Sequence, residues 1–437
     1  MKKILRSKLS LIICLLLLIL SFATVGIVKT IKHDPVVTAS TQDNILNTLD
    51  VQKPIQVIST AKIGSMGDLL IHSPILRAFC DSTSQSYNFE KIFTYITPYV
   101  KDLDYAAIDL EGSLAGSRFS GYPLFRCPDN MIDSAKASGF KLFLTANNHS
   151  NDAGEKGFFR TIEILRQKNV DFIGTRGNVS DKNYIIQDIN GIRVAMVNYT
   201  YGTINDNGIA SVNGLSLSKE TSPLINVFDY NRLDKFYSEQ EKLLERIRKD
   251  NAHAIVYFMH WGSEYQTEEN NFQRSIAKKL SDLGVDVIVG GHPHVIQPID
   301  IIHSDLSNKD TVCIYSLGNA VSNQRKSLMD LKTGHTEDGV LFSFTFTKYS
   351  DDSVMLTSVD VMPTWVNLYV EQEKHTYQII PLDKQKDWAT QFNMSSQSCE
   401  MAQKSYDRTM DIVSQGLTKA KDIINKNVID THPNLHE

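Results

Sequence analysis

The sequence contains few cysteines, and none of them has the spacing of a structural zinc site. The five cysteines are Cys14, Cys80, Cys127, Cys313 and Cys399, and no two of them form a CxxC motif. A zinc knuckle is therefore excluded. One disulfide among the last four is compatible with an oxidising compartment. The spacing does not select its partners, and free thiols fit the sequence equally well.

The sequence also lacks an excess of basic residues. Its 45 Lys and Arg residues are outnumbered by 50 Asp and Glu residues, which gives a formal net charge of −5. This balance argues against a broadly basic nucleic-acid-binding protein, so we expect no nucleic-acid partner. Internal repeats and low-complexity tracts are absent as well. The 437 residues suffice for one large domain or two ordinary ones.

A long apolar run stands at the N-terminus. Four Lys and Arg residues within the first eight positions precede an uncharged stretch, residues 9–28. Its length matches the ~20 residues that span a bilayer. Because positively charged flanks stay in the cytoplasm, we expect a retained membrane anchor over residues 1–28, with the rest of the chain outside.

Two forms of processing compete with a retained anchor. Cleavage after Ser21-Phe22-Ala23 would follow a small-x-small pattern, but the apolar run continues to Val28, which is long for a signal peptide. Lipidation of Cys14 is disfavoured because the residues just before it are Leu and Ile rather than small.

The remaining chain divides by composition into three parts. Residues 29–57 are polar and aperiodic, as in a linker. Residues 58–365 alternate between apolar runs and amphipathic stretches and are expected to form the main domain. Residues 366–437 are expected to be a helical extension, with one or two polar amphipathic helices in Ser396–Lys426 and no catalytic grouping.

The alternating pattern predicts a layered α/β domain with mixed sheets. Asn190-Gly191 predicts a tight hairpin, and GVLFSFTFTK with SVMLTSVDVM predicts a later antiparallel pair. The predicted strands are IQVISTAKIGSM, YAAIDL, FKLFLTA, VDFIG, AIVYFM, VDVIVG and TVCIYSL. The predicted helices are Asn88–Lys101, Glu155–Lys168, Asn231–Lys249 and Asn271–Leu283.

Polar side chains with metal-binding chemistry follow five of these runs. In α/β proteins, ligands gather at the carboxyl ends of strands. Imidazole, carboxylate and amide groups bind ions such as Zn, Mn or Fe, and two ions ~3.5–4 Å apart suit a bridging carboxylate. The residues are Asp68 with His72 close behind, Glu111, Asn147-Asn148-His149, His260, and His292 with His294.

Each of these residues has an ordinary structural interpretation when taken alone. Asp68 or Glu111 could be a helix cap or a turn residue, and His260 a satisfied histidine at a strand end. The Asn-rich run could be a turn held by Asx bonds. Two histidines two positions apart after a double glycine are harder to explain by packing. Their shared position at strand ends favours a metal site.

The motifs also resemble a known family, the CapA-type proteins of poly-γ-glutamate capsule synthesis, a branch of the calcineurin-like metallophosphoesterase superfamily. The similarity spans about residues 62–362 and implies a metallophosphoesterase-like sandwich. It is carried by Gly67-Asp68, Leu110-Glu111-Gly112, Ala146–Gly154, His260-Trp261-Gly262-Ser263-Glu264, Gly290–Val295 and Ser316-Leu317-Gly318-Asn319.

The resemblance implies a role for each matching residue. Asp68 and His294 would bind a first metal ion, and Asn148, His260 and His292 a second. Glu111 stands where most of the superfamily has a bridging Asp. His149 resembles the histidine that assists the leaving group.

Other matching positions have less defined roles. His72 lies four residues after Asp68, whereas the superfamily motif is Asp-x-His, so it is a possible ligand or a helix cap. Asp152, Glu264 and Asn319 are candidates for supporting metal ligands or substrate. Arg126, in a predicted loop, is a candidate for binding an anionic substrate.

Three functions fit these expectations. The first is a metal-dependent hydrolase that acts on an envelope substrate during capsule synthesis or export. The second is a non-catalytic subunit that binds metal or polymer beside a membrane synthase. The third is an anchored phosphatase unrelated to a capsule. The expected partners are the membrane, the capsule polymer and synthase subunits.

The N-terminal charge pattern makes a topological prediction. External protease added to intact cells should digest the domain beyond residue 57, because only the first few residues are expected to remain in the cytoplasm. Immunoblotting with an antibody to the C-terminus measures this, with a cytoplasmic protein as the protected control. A C-terminal domain that resists protease until the cells are lysed contradicts the prediction.

Overall fold

The computed structural model describes residues 54–436. The predicted anchor, residues 1–28, and most of the predicted linker lie outside this range. Within the described residues, no helix is both long enough and apolar enough to cross a bilayer. Pro54 onward forms one unit.

The strands and helices follow in chain order. The strands are β1 (Val57–Leu69), β2 (Tyr105–Asp109), β3 (Ser113–Leu114), β4 (Arg126–Cys127), β5 (Leu142–Leu144), β6 (Asp171–Ile173), β7 (Ile185–Ile189), β8 (Ile192–Tyr201), β9 (Thr203–Ile204), β10 (Ala210–Val212), β11 (Leu215–Ser216), β12 (Val227–Phe228), β13 (Ala254–His260), β14 (Val287–Gly291), β15 (Ile299–Ser304), β16 (Lys309–Ile314), β17 (Asn319–Val321), β18 (Asp338–Tyr349), β19 (Val354–Glu371) and β20 (Lys374–Pro381). The helices are α1 (Ser73–Ala78), α2 (Glu90–Phe93), α3 (Thr97–Lys101), α4 (Asn130–Ala137), α5 (Gly154–Gln167), α6 (Leu233–Lys249), α7 (Asn271–Asp282), α8 (Trp388–Gln391) and α9 (Ser396–Thr431).

Two mixed sheets form the centre of the fold. The first sheet has the order β20-β19-β18-β1-β2-β5-β6, with β17 also paired to β1. The second sheet has the order β12-β8-β13-β14-β16-β15, with β7 paired to β8. The neighbours β1-β2-β5-β6 and β8-β13-β14-β16 are parallel, whereas β18, β19 and β20 are antiparallel.

The sheets pack face to face, with helices on their outer faces. Ile63 and Leu142 from the first sheet meet Val256 and Val287 from the second in one buried core. Helices α1 to α4 cover the outside of the first sheet, and α6 and α7 cover the outside of the second. The prediction of a layered α/β domain with mixed sheets is confirmed.

Most predicted elements are also confirmed. All seven apolar runs form strands, and Asn190-Gly191 joins β7 to β8 as an antiparallel hairpin. The predicted helix Asn88–Lys101 is wrong as a single element. It is divided into α2 and α3, with Pro98 in the first turn of α3. Proline has no backbone N–H to continue the preceding helix.

The predicted boundary between residues 365 and 366 falls inside β19. Segment 366–437 is therefore not a purely helical extension, because its first part completes β19 and adds β20 to the first sheet. Residues 376–381 are buried. The run HTYQIIP mixes polar and apolar residues, so its periodicity did not identify a buried strand. All four cysteines in the described range are free thiols.

The C-terminal segment contributes to the core through α9, a single helix of 36 residues. Val413, Leu417 and Ile424 join the core between the sheets. Gly416 lies against β15, and a Cβ atom built on it would be 1.8 Å from the carbonyl oxygen of Ile299. The absence of a side chain thus permits this close approach.

Substitution of Gly416 by Ala tests whether this contact holds α9 in place. Helix propensity alone would favour Ala by about 1 kcal/mol. The clash is with backbone, which cannot rotate away, so we expect a net loss of about 1–3 kcal/mol in the free energy of unfolding. Urea denaturation measures it, with exposed Ser414→Ala on the same helix as the control. A Gly416→Ala variant as stable as the parent would show that α9 does not need the close approach.

Candidate metal centre

The predicted site residues converge at the carboxyl edges of both sheets. Asp68 and Glu111 come from the ends of β1 and β2, and Asn148 follows β5. His260 ends β13, and His292 follows β14. Because the two sheets pack face to face, their carboxyl edges meet, and five strand ends form one site. The inference from strand ends thus placed these residues correctly.

Glu111 occupies the middle of this site. Its side chain is fully buried, and neither carboxylate oxygen has a hydrogen-bond partner. Its oxygens lie 3.8 Å from His260 Nε2, 3.8 Å from His294 Nδ1 and 3.9 Å from His149 Nε2. Burial, reinforced by the charge of Asp68, raises its pKa well above the ordinary range. A bound cation would satisfy this carboxylate.

Three combinations of buried residues could hold a metal ion. The candidate ligand atoms within each lie within 4.8 Å of one another. They are Glu111-His260-His292, Asp68-Glu111-His294 and Asp68-Asp109-His260. The first two share Glu111, the last two share Asp68, and the first and last share His260, so the three groups form one connected cluster. Imidazole and carboxylate ligands fit a divalent ion such as Zn, Mn or Fe.

The two histidines after β14 differ in their surroundings. Burial lowers the pKa of His292 well below its usual value, and its Nδ1 atom has no hydrogen-bond partner. His294 Nδ1 lies 3.0 Å from Asp68 Oδ2. Burial opposes protonation of His294, but this carboxylate outweighs it and raises the pKa.

Backbone strain accompanies the His292–His294 turn. The φ angles are +95° at His292 and +58° at His294, in the left-handed region that side chains with a Cβ rarely adopt. Such strain costs of order 1–3 kcal/mol per residue and persists only where the surrounding structure fixes it. A Cβ on Gly291 would lie 2.9 Å from Asp68 Oδ1, so a side chain there would crowd the ligands.

His149 forms a buried pair with Asp152. Its Nδ1 donates to Asp152 Oδ2 at 2.7 Å, and its other ring nitrogen faces Glu111. Phe125 packs edge-on against the ring at 4.7 Å. The carboxylate and the aromatic contact fix the ring, so His149 Nε2 can exchange a proton at the site.

Asp109 is a site residue that the sequence analysis missed. Its Oδ2 accepts a hydrogen bond from His260 Nδ1 at 2.9 Å, and its Oδ1 accepts one from Asn147 Nδ2 at 3.0 Å. Burial raises its pKa to about 7. The bond leaves His260 Nε2 as an acceptor 2.8 Å from Asn148 Oδ1, another acceptor, which a cation would satisfy. The signal available in the sequence was an aspartate near the end of the apolar run YAAIDL.

The other predicted residues surround the centre. His72 stands at the N-cap position of α1 without a side-chain capping bond, and its Nδ1 accepts from the Asn323 N–H at 3.2 Å. It is outside the three ligand groups. Asn319 Nδ2 donates to the His294 carbonyl at 3.2 Å. Arg126 Nε donates to the Asp152 carbonyl at 3.1 Å, and Glu264 is exposed.

Comparison with known proteins identifies the family. Residues 62–324 match the family model described as bacterial capsule synthesis protein PGA_cap. The chain belongs to this family. The resemblance inferred from the strand-end motifs is thereby confirmed.

The chain is similar in sequence to two capsule-synthesis proteins from Bacillus. It is 30% identical over 245 residues to capsule biosynthesis protein CapA of Bacillus anthracis, covering 54% of this chain and 55% of the relative. It is 26% identical over 291 residues to PGA biosynthesis protein CapA of Bacillus subtilis strain 168, covering 65% and 68%. The chain thus spans about half the length of the first relative.

Two solved structures from Thermus thermophilus are more distantly similar to the PGA_cap protein. A 5'-nucleotidase precursor is 12% identical, with a TM-score of 0.41 and coverage of 70% of this chain and 54% of the other. The sulfate thiohydrolase SoxB is 12% identical, with a TM-score of 0.39 and coverage of 74% and 56%.

Metal binding can be tested by removing one ligand from the centre. We expect His292→Ala to weaken binding by more than the roughly 10–100-fold that loss of an outer hydrogen-bond partner costs, and Asp109→Asn to fall within that range. Elemental analysis and zinc or manganese titration measure both. His303→Ala is the matched control, because His303 lies on β15 with its side chain 61% exposed. Equal metal content in His292→Ala and the parent would refute the site.

The buried acids predict how the metal-free protein responds to pH. Above about pH 6.5, the pKa of Asp109 near 7 and the raised pKa of Glu111 mean that the folded state holds protons that the unfolded chain has released. Stability should therefore fall as the pH rises toward about 8. The raised pKa of His294 acts in the same direction. His260, with a pKa of about 3, is neutral in both states and adds nothing.

Thermal unfolding in a chelator at both ends of this pH range measures the effect. Glu111→Gln should show a smaller loss of melting temperature than the parent, because the amide has no proton to release. Added divalent metal should also reduce the loss in the parent. A metal-free parent that becomes more stable toward the alkaline end contradicts the assignment.

Proposed function

We propose that this PGA_cap family protein is a metal-dependent hydrolase that acts during synthesis or export of a capsule polymer. The observation that carries the proposal is the position of Glu111. This buried carboxylate is shared by two groups of metal-compatible ligands and lies beside the His149–Asp152 pair. The names of the two relatives support the link to capsule synthesis.

The residues have separable roles in this proposal. Asp68 and His294 would hold one divalent ion, and His260 and His292 the other, with Glu111 between them. Divalent ions at such a centre lower the pKa of water and polarise a phosphoryl or carbonyl oxygen.

His149 would move the proton in the hydrolytic step. Asp152 holds its Nδ1–H, so Nε2 is the atom that faces the centre. As a water oxygen bonds to the phosphorus or carbonyl carbon and the scissile bond breaks, a proton would pass from Nε2 to the departing oxygen or nitrogen. The attacking water would release one proton to solvent, and the ring would be reprotonated from solvent. Phe125 packs against the ring, which restricts its orientation.

We also propose that the domain lies outside the cytoplasm, attached through residues 9–28, and works beside membrane-embedded synthase subunits. The charge pattern of the first eight residues supports this location.

A non-catalytic role is the second candidate, and one observation favours it. The five proposed ligands are nearly inaccessible, with exposures of 0% for Asp68, 2% for Glu111, 1% for His260, and 3% for His292 and His294. A centre this deeply buried can serve to hold the strand ends together. The protein would then be an accessory subunit that binds metal or polymer.

Activity measurements separate the two candidates. With metal content unchanged, His149→Asn should lower kcat by about 10²–10⁴-fold, the usual contribution of a positioned acid–base group. The assay uses a generic phosphodiester, a phosphomonoester and a γ-glutamyl polymer with metal-loaded protein, and exposed His303→Asn serves as the control. Full metal occupancy without turnover of any substrate would favour the accessory role.

A further inference from the structure

Two adjoining clefts lie on the surface beside α6, away from the ligands of the metal centre. Their volumes are about 520 and 450 Å³. Both are lined by Arg176, Asn183 and Arg246. One extends to Lys249 and the other to Lys242. They therefore form one continuous depression, here called the α6 cleft.

Every acidic side chain that lines the α6 cleft has a basic partner. Two of these acids form salt bridges with Lys182 and Lys249, which also line the cleft. The other two acids form salt bridges with cations outside the lining. The pairs are Asp250 with Lys182 at 2.5 Å, Glu245 with Lys249 at 2.7 Å, Asp181 with Arg166 at 3.3 Å and Glu239 with Lys235 at 3.8 Å.

Three cations of the cleft are left over. Arg176, Lys242 and Arg246 form no salt bridge with any carboxylate of residues 54–436. The lining as a whole has five basic and four acidic side chains, so it has a surplus of one positive charge, although the whole chain carries a net charge of −5. A surplus of one sign inside a concave surface concentrates ions of the opposite sign.

The guanidinium of Arg176 is held in place but incompletely bonded. Its Nη1 donates to Asn226 Oδ1 at 2.8 Å, and its Nη2 donates to the Pro223 carbonyl. Its Nε atom is buried and has no acceptor. An unsatisfied buried donor on a positive group costs stability unless an acceptor binds. Because Nε is closed to solvent, a carboxylate or phosphate oxygen would instead approach the partly exposed side of this positive group.

Helix electrostatics accounts for only part of this arrangement. Arg246 is in the last turn of α6, where a positive charge is favoured by the helix dipole. Lys242 is one turn earlier on the same face, so the two like charges at i and i+4 repel each other. Arg176 comes from the loop after β6 and owes nothing to the helix dipole. Cations of different origin therefore converge on one positive surface.

We infer that the α6 cleft binds a linear polyanion, a chain that carries carboxylates or phosphates at regular intervals. Each of the three cations without a salt bridge would face one anionic group. The loop that carries Arg176 follows β6, the parallel neighbour of β5, which leads to Asn148 and His149. That loop therefore begins at the same sheet edge as the metal centre, and binding in the cleft does not depend on hydrolysis there.

The test uses full-length protein and a fluorescein-labelled polyglutamate, with inorganic polyphosphate as a competitor. Lys242→Glu combined with Arg246→Glu should weaken polyglutamate binding about tenfold or more in fluorescence polarisation. The control is Lys404→Glu combined with Lys426→Glu, which makes the same charge change at two exposed positions of α9. Its binding should stay within about twofold of the parent. Circular dichroism confirms that both variants are folded.

Each outcome has a defined meaning. Selective loss in the α6 variant supports the cleft, and the competition then assigns the preferred anion to carboxylate or phosphate. No binding to the parent, or equal weakening in both double variants, overturns the inference, because only overall charge would then matter. His292→Ala should bind polyglutamate like the parent. A failed metal centre and a failed cleft are thus distinguishable.

Discussion

The buried carboxylate of Glu111 is the constraint on which the site depends. It has no hydrogen-bond donor and is flanked by the carboxylates of Asp68 and Asp109, whose charges, together with burial, raise its pKa. An isolated buried charge of this kind costs several kcal/mol unless a counter-charge is supplied. The nearest groups are imidazoles. The pKa values of His260 and His292 are too low for these rings to carry that counter-charge, and His294, whose pKa is raised, is already paired with Asp68. A divalent ion would provide it without protonating any ring, and the buried cluster of neutral rings and acids is compatible with one.

The fold brings these side chains together because the carboxyl ends of the parallel strands of the two sheets face each other. The apolar faces of both sheets are used to form the central core, so only the strand ends remain for polar chemistry. The point at which each strand ends determines where its ligand lies. After β14, the strained turn at His292 and His294 contributes two imidazole rings. The strained turn persists because the surrounding packed core fixes its conformation. The candidate metal centre therefore depends on sheet packing, with Asp68 and His260 in strands and Glu111, Asn148, His292 and His294 in the turns that follow strands.

The sequence was sufficient for the layered fold and for most of the centre because both follow local rules. Apolar runs predict strands, and polar residues directly after them predict the rim. Asp109 was missed because it ends an apolar run and was counted as part of the strand. β20 was missed because its polar and apolar residues have no clear period. The α6 cleft joins residues from two elements far apart in sequence, and no local pattern reports which lysine lacks an acidic partner.

The α6 cleft has a surplus of positive charge on a protein with a net charge of −5, and the neighbouring strands β5 and β6 lead toward the candidate metal centre and the cleft. At the candidate metal centre the charge of a bound ion would be offset by Asp68, Asp109, Glu111 and Asp152, whereas Arg176, Lys242 and Arg246 of the cleft have no salt-bridge partner among residues 54–436. A polyanion that approaches the molecule meets a net charge of −5 and is attracted at places where cations lack acidic partners, such as the α6 cleft. Electrostatic focusing of this kind acts on encounter and orientation more than on the strength of any single contact. The opposition of sign between these places and the rest of the surface would therefore orient a long acidic chain before any specific contact forms.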